Sequence, residues 1–129
     1  MTRIIVVLAL IALLAAPAVS EAMPIDGEVR VGEQVVLRIR ASAGGMTPAE
    51  RAKVVSQRLN NFLGSTIFNS TSVRVQVVRG DYSVVIGNTH IVTVDEATAA
   101  ANGCTREQLA NIWASNIRTA IPAAKAVAS

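Results

Sequence analysis

In Q34-V-V-L-R-I-R40, Val35, Leu37 and Ile39 fall on one side of an extended chain, and Val36, Arg38 and Arg40 fall on the other. A period of two with β-branched residues predicts a half-buried strand. The stretch before it, Met23 to Glu33, contains Pro24, Asp26, Gly27 and Gly32 and reads as an irregular segment with a turn. Beyond the flexible A41-S-A-G-G45 the period changes. Ala52, Val55, Leu59 and Phe62 recur at spacings of three and four, the single apolar stripe of a helix. Thr47, Pro48 and Glu50 mark its start as a capping box with proline at the first helical position, and Gly64 suits its end. Glu50 is explained by the cap. Arg51, Lys53 and Arg58 lie off the stripe and are expected on the wet side of the helix.

Alternation returns in V73-R-V-Q-V-V-R79, Y82-S-V-V-I86 and T89-H-I-V-T-V94, separated by Gly80-Asp81 and Gly87-Asn88. β-branched runs joined by such dipeptides predict a three-stranded antiparallel meander from Val73 to Val94. Asp95 caps a short helical piece that Asn102-Gly103 closes. Thr105 and Gln108 form a second capping box. The helix that follows carries Leu109, Ile112, Trp113, Ile117, Ala120 and Ile121 on one face, and Pro122 stops or kinks it, leaving an Ala-rich tail to fray. The order is β-α-β-β-β-α-α. The predicted class is a two-layer α+β fold, with about four largely antiparallel strands covered on one face by two or three helices. The first strand joins the meander at its edge or in its middle.

Composition bears mainly on the N-terminus. Of the 129 residues, 51% are hydrophobic, and Ile4 to Ala16 is an unbroken apolar run after Arg3. It is too short for a comfortable span, which takes about 20 residues. With Pro17 and the small residues of A18-V-S-E-A22 it reads as a secretory signal peptide over residues 1–22, cleaved after Ala22 or, as the alternative, after Ser20. An uncleaved anchor is the competing reading. Residues 23–129 then form a single domain with its core at about 29–121, large enough to hold a core without staples. The leader carries one basic and one acidic residue, Arg3 and Glu21, so the net charge of +3 survives its removal. That is too weak and dispersed to indicate nucleic acid. No membrane span remains once the leader is gone.

The chain offers little for catalysis. With one His and one Cys it lacks metal-ligand spacings, and no cofactor is expected. Cys104, the lone thiol, sits between Gly103 and Thr105 just before a helix and reads as a small, partly buried filler; His90 reads as a half-exposed strand residue. A meeting of the two would be needed for a nucleophile and its base. G44-G45 lacks the phosphate-loop spacing. Adjacent Asp95 and Glu96 are helix-start charges. A different constellation is more suggestive. If helices cover the apolar face, the opposite sheet face displays Arg38, Arg40, Arg74 and Gln76, with Val36 and Val78 among them. A basic face with apolar patches suits an acidic surface or an amphipathic envelope protein.

Strand V35-V-L-R-I39, the Gly-bearing loop, T47-P-A-E-R-A52 with Q57-R-L59, and later V84-V-I-G-N-T-H-I-V-T-V-D-E-A97 with A101-N-G-C-T-R-E-Q-L-A110 resemble one known domain. It is the extracytoplasmic N-terminal domain of bacterial, notably cyanobacterial, small-conductance mechanosensitive channel-like proteins. The resemblance covers about Val29 to Ile121, and its motifs are caps, turns and stripe positions. It implies a free-standing version of an envelope-facing sensory or docking unit, without the channel and without catalytic residues. The resulting expectation is a periplasmic or secreted, non-enzymatic binding module using the Arg38/Arg40/Arg74 sheet face or the Arg51/Arg58 helix face. The alternatives are a small envelope enzyme around Cys104 and His90, and a structural protein held by an uncleaved leader.

Overall fold

A computed structural model describes residues 27–64 and 68–128 of the chain. The leader and its cleavage site lie outside these residues. The elements are β1 (Glu28–Val31), β2 (Gln34–Arg38), α1 (Pro48–Leu63), a 3-10 turn (Ser70–Ser72), β3 (Val73–Val78), β4 (Asp81–Ile86), β5 (Thr89–Val94), α2 (Glu96–Ala101) and α3 (Arg106–Ala128). The class is α+β, as the patterning predicts. Strand number and order differ from the expectation.

The segment read as irregular contains β1, which pairs antiparallel with β2. Val29 and Val31 alternate there and are fully buried. The glycines around them disguised the strand, because each serves a turn or a close approach. Gly27 has φ +85, and a Cβ on it would lie 1.9 Å from the Ile39 carbonyl oxygen. The approach lets Ile39 N–H donate to the Gly27 carbonyl at 2.7 Å and closes the start of the hairpin.

β1 and β2 form a separate two-stranded sheet, and β3-β4-β5 form the predicted meander, so the strands make two sheets in place of one. α3 spans both. Asn116 Nδ2 donates to the Val36 carbonyl at 2.9 Å, and Arg118 Nε donates to the Val73 carbonyl at 3.0 Å. Val36, expected on an outer face, is therefore buried, and β2 has apolar contacts on both faces.

The helix starts follow the sequence closely. Thr47 and Glu50 exchange bonds at 2.9 and 3.1 Å, and Thr105 and Gln108 do the same at 2.9 and 3.1 Å. Ala52, Val55 and Leu59 of α1 and Leu109, Trp113, Ile117 and Ile121 of α3 build one core with the strands. Ile112 departs from its expected face and is 48% exposed. α3 also runs through Pro122 to Ala128. Tertiary contacts outweigh the proline: Ile121 is fully buried and Ala124 packs against the core. Lys125 Nζ donates to the Phe62 and Leu63 carbonyls, both at 3.3 Å, which caps the end of α1.

Candidate functional site

The two arginines expected on the wet side of α1 face inward instead. Arg51 is 8% exposed. Its Nη1 donates to the Ala41 carbonyl at 2.7 Å and to Asp95 Oδ1 at 2.8 Å, and its Nη2 to the Thr93 carbonyl at 3.4 Å. Asp95 meanwhile caps α2, its Oδ2 accepting Thr98 N–H at 2.8 Å. Removal from water works to raise the Asp95 carboxyl. The hydrogen bonds from Arg51 and Thr98 outweigh it and hold the group below the usual carboxylate range. Two turns on, Arg58 Nη1 donates to the Ile91 carbonyl at 2.9 Å. Both arginines thus close the outer edge of β5, a strand edge that would otherwise present free carbonyls. Each covers its apolar stem while the guanidinium finds main-chain oxygen, so the helical stripe alone does not reveal them.

The four residues expected to share one basic sheet face divide into two pairs, because β2 and β3 belong to different sheets and Arg40 lies just past the end of β2. Arg38 and Arg40 line a groove of about 250 Å³ between β2 and α3, with Cys104, Ile112, Trp113 and Asn116. Arg38 also meets Glu28 Oε2 at 3.1 Å, while Arg30 Nε meets Glu28 Oε1 at 3.0 Å. The two arginine side chains cover the Glu28 carboxylate from the surface side, leaving that side chain 3% exposed without sinking it into the core. The Arg30 hydrogen bond, joined by Arg38 and opposed by the loss of water, holds the Glu28 carboxyl below its usual range. Arg40 is exposed, and its N–H donates to Thr98 Oγ1 at 3.2 Å.

Arg74 and Gln76 lie on the outer face of the meander. Arg74 stands in a cross-strand row with Val85 and His90, and Gln76 stands in a row with Ser83 and Thr93. Regular alternation would set His90 and Thr93 on opposite faces. A register shift opposite Val84/Val85 brings both to the same face. There they join a chain of hydrogen bonds: Ser83 Oγ to Thr93 Oγ1 at 3.2 Å, Thr93 Oγ1 to His90 Nε2 at 2.9 Å, and His90 Nδ1 to Arg58 Nη1 at 3.3 Å. Arginine only donates, so Nδ1 accepts and the proton of the neutral ring resides on Nε2, facing Thr93. Partial burial, then the Arg58 charge, lowers the His90 pKa and favours that neutral form.

The result is a depression of about 400 Å³, with Ser83 and Val85 as a buried floor and Gln76, Arg79, His90 and Thr93 around it. Arg74 is exposed on the same face and donates to the Gly87 carbonyl at 3.1 Å. Arg79 is held at the rim by a tight turn, Arg79 at φ +56 and Gly80 at φ +82, the left-handed pair of a type I′ hairpin. The site is suited to hydrogen bonding, with Arg79 and Asp81 both at its rim. Cys104 lines the β2/α3 groove and His90 the meander depression, so the two side chains line different recesses. Among the described residues no group of three His, Cys, Asp or Glu is placed to hold a metal ion. No described helix is long and apolar enough to cross a membrane.

Residues 28–124 match the model of a protein family described as a domain of unknown function, DUF8459. The chain belongs to the DUF8459 family. The matched stretch includes both sheets, α1, α2 and most of α3, so the DUF8459 domain here contains the meander face and the β2/α3 groove alike. No curated protein and no solved structure matches the chain.

Proposed function

We propose that this DUF8459 domain is a non-enzymatic binding module of the cell envelope, exported by its N-terminal leader, and that it holds an acidic or amphipathic segment of an envelope protein on the outer face of the meander. One observation carries the reading. That face is exposed at Arg74, Gln76, Arg79 and His90, yet its floor is buried and its polar groups are held in a fixed hydrogen-bonded row. Hydrogen-bonding groups beside the Arg74 and Arg79 charges suit recognition of carboxylates, whose attraction to the arginines falls with added salt. The resemblance to the extracytoplasmic domains of mechanosensitive channel-like proteins supports an envelope role of sensory or docking type. The separation of Cys104 from His90 supports a role without turnover.

The test is a nuclear magnetic resonance titration of the protein with an extended peptide alternating Glu and Leu, and with a Gln/Leu counterpart. The expected result is a set of shifts at Gln76, Ser83, His90 and Thr93 with the acidic peptide only, lost in the Arg74→Glu/Arg79→Glu double variant while the fold is kept. Shifts confined to Arg38, Arg40 and Cys104 would move the site to the β2/α3 groove. Equal binding of both peptides would remove the electrostatic basis of the proposal.

A further inference from the structure

The helices close the meander unevenly. Arg51 and Arg58 occupy carbonyls along the outer edge of β5, and Arg118 occupies the Val73 carbonyl at the start of β3. Among the described residues nothing else is bonded to the β3 edge. The type I′ turn makes Val78 and Asp81 a hydrogen-bonded pair, so Gln76–Ser83 and Arg74–Val85 are bonded in turn. Val73, Val75 and Val77 therefore direct their N–H and C=O groups away from β4. For Val75 and Val77 these groups meet no partner among the described residues. Val77 is 55% exposed and Val78 48% exposed beside them. Exposed edges are usually blunted by charge, proline or a bulge, and none of these falls between Arg74 and Arg79.

We propose that the Val75–Val77 edge pairs antiparallel with the same edge of a second copy of this chain, about a two-fold axis through Gln76. Register selects the second copy as occupant. Centring on Gln76 sets Val75 opposite Val77 of the other copy and Val77 opposite its Val75, which matches all the free main-chain groups. Arg74 then stands directly opposite an apolar Val78 in place of a second arginine, and the two Gln76 amides face each other as donor and acceptor. Centring on Arg74 opposes two arginines. Centring on Val75 calls on Val73, whose carbonyl Arg118 already holds, and centring on Val77 or Val78 runs the ladder into the Arg79–Gly80 turn. The pairing uses main-chain groups and stands independently of any ligand on the meander face.

Sedimentation equilibrium on the purified protein and amide exchange at Val75 and Val77 test the proposal together. The expected result is a monomer–dimer equilibrium, with exchange at those two amides slowing as protein concentration rises. Gln76→Lys and Gln76→Glu each place like charges across the axis and should weaken the dimer roughly twofold to fivefold, while an equimolar mixture of the two variants recovers the association. Val77→Pro removes an outward N–H that the monomer does not use, so it should abolish pairing and leave the circular dichroism spectrum intact. A wild-type protein that stays monomeric at all concentrations would overturn the proposal. So would a charge-swapped mixture no tighter than either variant alone. Protection of Val75 and Val77 by an unrelated extended peptide, with no dependence on protein concentration, would assign the edge to another partner and overturn it equally.

Discussion

Replacing Arg51 with Ala tests whether the helix charges belong to the interior. The change removes donors from the Ala41 carbonyl, Asp95 Oδ1 and, at a longer 3.4 Å, the Thr93 carbonyl. A buried acceptor left unsatisfied costs about 1–3 kcal/mol, and removing one partner of a fully buried ion pair costs about 3–5 kcal/mol. The full figures do not apply, because the Asp95 side chain is 23% exposed and keeps its bond from Thr98. A loss of about 2–3 kcal/mol results, a large part of the roughly 5–15 kcal/mol that holds a domain together. In a domain of this size that lowers Tm by about 10–20 °C. Urea and thermal unfolding measure it, with exposed Lys53→Ala as the control, expected within about 0.5 kcal/mol of the parent. A cycle with Asp95→Asn, which can still cap α2, should give a coupling of about 1–2 kcal/mol. The depressed Asp95 pKa adds a pH signature. On acidification the unfolded chain takes up this proton first, so the stability it contributes is present above its ordinary pKa of 3.8 and is lost as pH falls through the lower folded value. Arg51→Ala should flatten that part of the acid limb. If Arg51→Ala proves as mild as Lys53→Ala, the inward clasp is wrong.

His90 should titrate below its ordinary 6.5, because its neutral ring is the form built into the Thr93–His90–Arg58 chain. Its nitrogen shifts should report the Nε2–H tautomer, and Arg58→Gln should raise the midpoint part of the way, burial remaining; a midpoint at or above 6.5 would contradict the geometry. Gly27→Ala forces a Cβ to 1.9 Å from the Ile39 carbonyl at φ +85. It should cost about 2 kcal/mol or more, read as a lower urea midpoint at unchanged slope. Intact mass of the exported species should give an N-terminus at Met23, or at Glu21 under the alternative cleavage; a start at Met1 would favour an anchor over a leader.

Features that depend on neighbours in sequence were legible in it. The capping boxes at Thr47–Glu50 and Thr105–Gln108, the Asp95 cap, the α1 stripe and the Val73–Val94 meander all follow from spacing, since their partners lie within one turn or one strand. Features that depend on distant partners were not. β1 lay hidden among turn glycines because Val29 and Val31 offer only a short alternation. Arg51 and Arg58 fall off the apolar stripe, and no local rule says that Ala41, Ile91 and Asp95 will come to meet them. Arg38/Arg40 and Arg74/Gln76 share the same parity along their strands, but parity cannot show that two strands sit in different sheets. The polar row needed a register shift in β5, a one-residue irregularity that alternation masks. Its available signal was Ser83 and Thr93, polar residues amid valine-rich strands. Helix α3 outlasts Pro122 through the burial of Ile121, the packing of Ala124 and the Lys125 bonds to α1, which the proline itself does not reveal.

These long-range clasps close the β5 edge and, among the described residues, leave the β3 edge beyond Val73 without a partner, and arginine side-chain spectroscopy reaches them directly. Nitrogen-15 spectra at low temperature should show slowed guanidinium rotation and slowed proton exchange for Arg51, Arg58 and Arg118, with scalar coupling from their N–H groups to main-chain carbonyls, while exposed Arg40 remains averaged. Guanidinium groups of Arg51 and Arg58 that rotate and exchange as fast as that of Arg40 would contradict the closed β5 edge on which the rest depends.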